Sequence, residues 1–189
     1  MKKNFTVLLS LAAVATFAAP VVARAQVSNP LKFTIFAGAA MPSGDIRDEL
    51  KTGYTLGGAV DLRAPLMPVG LRGELTYSKM DAKDTQGLES ANMSETGGNL
   101  NAVFWMPSAG TPLTAYLTGG PTYAHVSANV SGGGVDQSAS DNRFGFNVGG
   151  GIDFRLSGLS TRLDVRYMQI SMDGGDSFKT IPITFGITF

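Results

Sequence analysis

The chain has 189 residues, 15 Lys and Arg against 15 Asp and Glu, one His and no Cys. That balance excludes a basic nucleic-acid-binding footprint, and the absence of cysteine excludes a disulfide framework, so stability has to come from closure and packing. Twenty-four glycines, with no collagen-like period, fall inside alternating segments.

The first residues carry a targeting signature. Met1-Lys2-Lys3 is charged, residues 7–19 are an apolar run too short for a stable transmembrane helix, and Ala23-Arg24-Ala25 offers small residues where a signal peptidase reads. The expected organisation is a signal peptide over 1–25 and one domain over 26–189. Losing Lys2, Lys3 and Arg24 would leave twelve bases against fifteen acids. No later apolar run reaches the roughly 18 residues of a membrane helix, and no helical periodicity is sustained.

Eight segments then alternate with a period of two, each near the roughly 9–11 residues that a tilted strand needs to cross a bilayer. They are 31–40, 54–63, 71–79, 98–106, 113–126, 143–156, 161–168 and 178–189. In the seventh, Leu163, Val165 and Tyr167 oppose Arg162, Asp164 and Arg166. The last is the most regular: Ile181, Ile183, Phe185, Ile187 and Phe189 alternate with Pro182, Thr184, Gly186 and Thr188. Connections 41–53, 80–97, 127–142 and 171–177 read as long or polar loops, whereas 64–70, 107–112 and 157–160 read as tight turns. Long loops at one end and short turns at the other predict an eight-stranded antiparallel transmembrane up-and-down β-barrel, an all-β fold.

The stretches Leu117-Thr-Gly-Gly-Pro-Thr-Tyr123, Phe146-Asn-Val-Gly-Gly-Gly-Ile-Asp-Phe-Arg-Leu156 and Ile187-Thr-Phe189 resemble the small outer-membrane β-barrels of the OmpA-type transmembrane and opacity-protein group, the outer membrane protein beta-barrel domain family. The resemblance runs over the whole expected domain. It implies residence in the outer membrane among lipid and lipopolysaccharide. It also implies that the barrel-insertion machinery reads Phe185, Ile187 and Phe189 as an insertion signal. The longer relatives carry a peptidoglycan-binding domain that would have to follow Phe189, so a cell-wall tether is not expected.

A soluble, lipocalin-like barrel would alternate too, with its apolar face inward. The aromatics favour the membrane. Tyr54, Tyr77, Tyr123, Phe144 and Tyr167 fall near long-loop ends, and Phe33, Phe104, Phe154 and Phe189 near short-turn ends, as two interface girdles would. The opposite face carries Asp61, Arg63, Arg72, Glu74, Arg143, Asp153, Arg155, Arg162, Asp164 and Arg166. In a barrel just wide enough for side chains, these should neutralise one another, and the expected pairs are Arg155–Asp164, Asp153–Arg166 and Arg63–Glu74. Such an interior is a salt-bridged plug or, alternatively, a narrow polar conduit for small or hydrophobic solutes.

Chemistry has weak candidates. His125 and Ser127 share one strand face, with Asp136 or Asp141 to orient the ring, and the spacing resembles the His-x-Ser of lipid A deacylases. The surrounding motif is absent, so a polar residue among head groups is the plainer reading. Gly149-Gly-Gly151 lacks the lysine and the helix of a phosphate loop. It reads as room for large neighbours. The loops hold Asp45, Asp48, Glu49, Asp81, Asp84, Glu89, Glu95, Asp136, Asp141, Asp173 and Asp176, which suggests divalent cations bridging to lipopolysaccharide, yet no full calcium-loop pattern is present. The expectation is a non-enzymatic outer-membrane barrel without cofactor or metal, structural or acting on other surfaces through its loops.

Overall fold

Polar or small residues alternating with apolar ones give each strand two unlike faces, and closing the sheet lets one of those faces vanish inside. The computed structural model describes residues 30–63, 67–83, 90–106, 111–132, 135–155, 159–172 and 177–189, excepting the side chains of 45, 90, 132, 135 and 136. Eight strands follow in order: β1 (Leu31–Ser43), β2 (Gly53–Leu62), β3 (Val69–Asp81), β4 (Ser90–Trp105), β5 (Leu113–Gly132), β6 (Val135–Arg155), β7 (Ser160–Ser171) and β8 (Ser177–Thr188). Each pairs antiparallel with the next, and β8 pairs with β1 to close the barrel. A short 3-10 turn, η1 (Gly44–Arg47), follows β1. The seam ends on reciprocal backbone bonds, Phe189 N–H to Phe33 C=O at 2.8 Å and Phe33 N–H to Phe189 C=O at 3.3 Å. Closure gives every strand two neighbours, although β6 before Gly145 pairs with β5 alone.

The strands outrun the alternation. Residues expected in the loops 80–97 and 127–142 continue the ladder instead, and β5 and β6 reach 20 and 21 residues. Their register runs unbroken from Leu113↔Phe154 to Gly132↔Val135. Period-two patterning is a signature of one wet and one greasy face. Residues 127–142 are mostly polar on both faces, so the pairing continues after the pattern has stopped. The barrel has a loop end, which carries residues 44–52, and an opposite turn end.

Apolar side chains stand outward. Ile35, Leu75, Leu100, Leu117, Val148, Leu163, Val165 and Phe185 are all exposed, whereas Arg72 and Asp61 on the inner face are buried. A continuous apolar band of this kind around a closed wall has no place in water, because soluble monomers rarely expose more than a few hundred Å² of contiguous apolar surface.

Candidate functional site: the charged barrel interior

Inward positions of four strands build one ionic network. Asp61 on β2 stands opposite Arg72 on β3, and Asp153 on β6 opposite Arg162 on β7, so each pair forms between hydrogen-bonded neighbours. Arg72 Nε donates to Asp61 Oδ1 at 2.5 Å and Arg162 Nε to Asp153 Oδ1 at 2.7 Å. Arg162 also reaches across the lumen, its Nη2 donating to Asp61 Oδ2 at 2.8 Å. Arg166 does the same: Nη1 and Nη2 grip Glu74 on β3, the second at 2.7 Å to Oε1, while Nε holds Asp164 Oδ1 at 2.6 Å. Arg162 and Arg166 thus each spend a planar fork on two carboxylates, a geometry that the point charge of lysine could not reproduce.

Tyr116 on β5 lies beneath two of these cations, with Arg72 Cζ 4.7 Å and Arg162 Cζ 5.3 Å from its ring centre. Both are within the roughly 6 Å range of a cation–π contact. Its hydroxyl donates to Asp164 Oδ2. Two inward glycines make room for this centre. A Cβ built on Gly151 would fall 2.5 Å from the Tyr116 hydroxyl oxygen, and one on Gly149 2.7 Å from Arg166 Cγ.

The partners differ from the sequence expectation. Asp153 meets Arg162 rather than Arg166. Arg155 donates to Thr114 Oγ1 at 3.2 Å rather than to Asp164. Arg63 lies over the ring of Trp105 at 4.8 Å, and Glu74 takes Arg166 instead. The cause is register. In both the β2–β3 and β6–β7 hairpins the pairing axis falls two residues earlier in the chain than those pairs require. Arg63 and Arg155 therefore sit at the turn-end mouth, and Arg143 sits toward the loop end, where its Nη2 reaches Asp141 at 2.6 Å.

The interior is layered. Trp105, Val103 and Tyr116 pack together at the turn end. Next to the ions lies an amide and hydroxyl web, with Thr122 donating to Asn99 at 2.7 Å and Asn147 to Asn101 at 2.9 Å. Toward the loop end, Ala40, Met80, Ala124, Val126, Met168, Ile170 and Phe178 form a buried apolar cluster. Sequence reasoning missed this upper layer, although its signal is there: Met168 and Ile170 continue the parity of Arg162, Asp164 and Arg166. Between the layers lies a cavity of about 30 Å³ bordered by Thr55, Ser78, Asn99, Arg166 and Thr180. That is room for roughly two waters.

Glu95 was expected in an acidic loop. Because β4 begins at Ser90, it is an inward residue, 2% exposed, and its Oε1 has no hydrogen-bond partner. His125 projects outward, with Nδ1 2.9 Å from Asn142 Oδ1 rather than from an acid. Asp141 has the opposite parity and is taken up by Arg143 and by the Asn142 N–H. The Asp136 side chain and residues 84, 89, 173 and 176 lie outside the described residues, as does 1–25. Among the described residues no three His, Asp or Glu side chains gather as metal ligands.

On the outer wall, Tyr54 and Tyr77 meet in a tilted contact at 6.2 Å, Tyr123 and Phe144 at 5.0 Å, and Phe146 and Tyr167 at 6.3 Å between ring centres. Phe33, Phe104, Phe154 and Phe189 stand outward at the turn end, and Phe185 and Ile187 outward on β8.

A closed eight-stranded wall, greasy outside and ionic within, is the construction of an outer-membrane barrel. The model of the outer membrane protein beta-barrel domain family matches residues 8–189. The chain belongs to that family. Among solved structures, this outer-membrane barrel is similar to Neisserial surface protein A (NspA) at 15% identity and TM-score 0.59, covering 84% of this chain and 96% of that one. It is equally similar to a major outer membrane protein from Thermus thermophilus, at 16% identity and TM-score 0.59, covering 84% and 98%. At those identities the likeness is one of fold. No curated protein matches the sequence.

Proposed function

We propose that the chain is a non-conducting barrel of the outer membrane, held shut by its ion pairs and apolar layer, and that it works as a structural or surface-interaction protein through its loop end. The observation that carries this reading is the filled lumen: three guanidiniums locked onto four carboxylates, closed above by Met80, Met168, Ile170 and Phe178. Opening a path would strand buried charges at roughly 3–5 kcal/mol each.

Family membership supports placement in the outer membrane, reached by export behind the 1–25 segment and by assembly through the C-terminal strand. The outward aromatics at two heights support an interface role for Tyr54, Tyr77, Tyr123, Phe144 and Tyr167 at one leaflet and Phe33, Phe104, Phe154 and Phe189 at the other. A non-enzymatic role fits a His125 whose ring nitrogen meets an amide.

Planar-bilayer recording on the refolded protein tests the closed lumen. No current steps are expected under an applied voltage in concentrated KCl, and regular steps that persist across preparations would favour the narrow channel instead.

A further inference from the structure

The lysines and arginines at the loop end are not spread around the rim. Apart from Arg143 on β6, every described one, namely Arg47, Lys51, Lys79, Lys83 and Lys179, lies on the β8–β1–β2–β3 side. There the 3-10 turn η1 folds back to leave a cleft of about 310 Å³, a size at which small-molecule sites begin. Its outer floor is Met41 and Ile181, direct partners across the β1–β8 seam, and its inner side is Pro42 and Leu50, the latter packed on the buried apolar layer. Arg47 and Lys83 line it from above.

Height and charge together name an occupant. Met41 has outward parity and lies one outward step beyond Ala39, the partner of Tyr54. Met41 and Ile181 are therefore the top of the lipid-facing wall, and the bases stand at head-group level above the Tyr54–Tyr77 pair. Lys83 Nζ spends one donor on the Arg47 carbonyl at 2.6 Å, which fixes the two residues beside each other and leaves two N–H groups to give. Lys179 lies along η1, its Cδ 3.1 Å from where a Cβ of Gly44 would stand. Asp48, Glu49 and Asp81 are nearby and exposed, but none of them lines the cleft.

We infer that this cleft is a binding site for the phosphorylated head of a multi-chain outer-leaflet lipid of the lipopolysaccharide class, with phosphate against Arg47 and Lys83 and an acyl chain over Met41 and Ile181. It would tie η1 to the membrane on one side of the barrel, opposite the tall β5–β6 hairpin. The inference rests on the outer-membrane placement proposed above, which cell fractionation reads separately.

The test uses the purified full chain in neutral detergent, titrated with hexa-acyl lipid A bearing two phosphates and with the same lipid dephosphorylated. Bound lipid is counted by native mass spectrometry. Wild type should retain the phosphorylated lipid, and the Arg47→Gln/Lys83→Gln variant should lose roughly tenfold or more in affinity, while the dephosphorylated lipid binds both proteins weakly and equally. Both residues are exposed, and heat-modifiable gel migration confirms that the variant is folded before it is scored. Equal retention by the two proteins, or equal retention of the two lipids, overturns the site. Displacement of the lipid by millimolar inorganic phosphate alone would make it a free-anion site and overturn the lipid assignment.

Discussion

Arg166 on β7 grips Glu74 on β3 with two donors across the lumen, between strands that share no ladder. Both side chains are buried. Asn101 Nδ2 supplies a further donor to Glu74 at 3.1 Å. Truncating either partner leaves a desolvated charge, so Glu74→Leu should destabilise the barrel by about 3–5 kcal/mol. Adding Arg166→Met should recover part of that loss, because no unpaired guanidinium is then left inside, although Asp164 keeps only the Tyr116 hydroxyl and the more distant Arg72. Urea unfolding in detergent, followed by tryptophan fluorescence, measures the cycle; a double variant as unstable as the sum of the singles would mean that the pair is not the unit of stability.

Gly151 offers a test of packing rather than charge. Its missing Cβ is the space that the Tyr116 hydroxyl occupies, and β7 crowds the same point through the Leu163 carbonyl. Gly151→Ala should push Tyr116 off Asp164 and cost about 1–3 kcal/mol. Gly73, where a Cβ would meet nothing within 4 Å, is the control. Gly73→Ala should be near neutral, and equal losses at the two sites would refute the space-filling account.

Much of this was legible before any coordinates. Residues such as Val165 and Arg166 declare opposite faces because a strand has a period of two, and eight such segments demand closure. Partner identity was not legible. Arg166 finds Glu74 through the curvature of the closed wall, and Asp153 finds Arg162 through a turn placed two residues from the expected one; neither curvature nor a two-residue shift leaves a mark on alternation. The upper apolar layer was missed for a different reason. Met80, Met168, Ile170 and Phe178 are greasy residues on a face already labelled polar, and the inside of a barrel is free to be ionic at one height and dry at another.

Among the described residues, Glu95 is the buried carboxylate that the network leaves out. Among the described residues no base forms an ion pair with it, and its Oε1 has no partner. A lone desolvated charge is costly. Glu95→Gln keeps the shape and removes a carboxyl whose charged form burial disfavours, so at alkaline pH, where that form is enforced, it should stabilise the protein by about 1–2 kcal/mol, seen as a higher urea midpoint. A lower midpoint would mean that Glu95 is serving a cation at the loop end.

Val165 separates a membrane wall from a soluble one. It stands outward on β7 between the two aromatic levels, four residues from Thr161, the partner of Phe154, and two from Tyr167. Val165→Arg should cost about 2–4 kcal/mol in a lipid bilayer, measured by urea titration in phosphatidylcholine vesicles. The same change at exposed Gln137, beyond the aromatic level on β6, should cost little. Equal tolerance at both positions would be incompatible with a lipid-facing wall.

Phe189 is where closure and assembly can be told apart. Its backbone seals β8 to β1 through Phe33, whereas its side chain stands outward, 61% exposed, away from everything that closes the wall. Phe189→Ala keeps both backbone bonds, so unassisted folding into detergent should proceed at the wild-type rate and urea stability should change by less than about 1 kcal/mol. If the outward aromatics Phe185 and Phe189 are what the insertion machinery reads, the same variant should insert several-fold more slowly into proteoliposomes containing that machinery. A variant slowed equally with and without the machinery would reduce Phe189 to an interfacial anchor. One slowed in neither setting would remove it from assembly altogether.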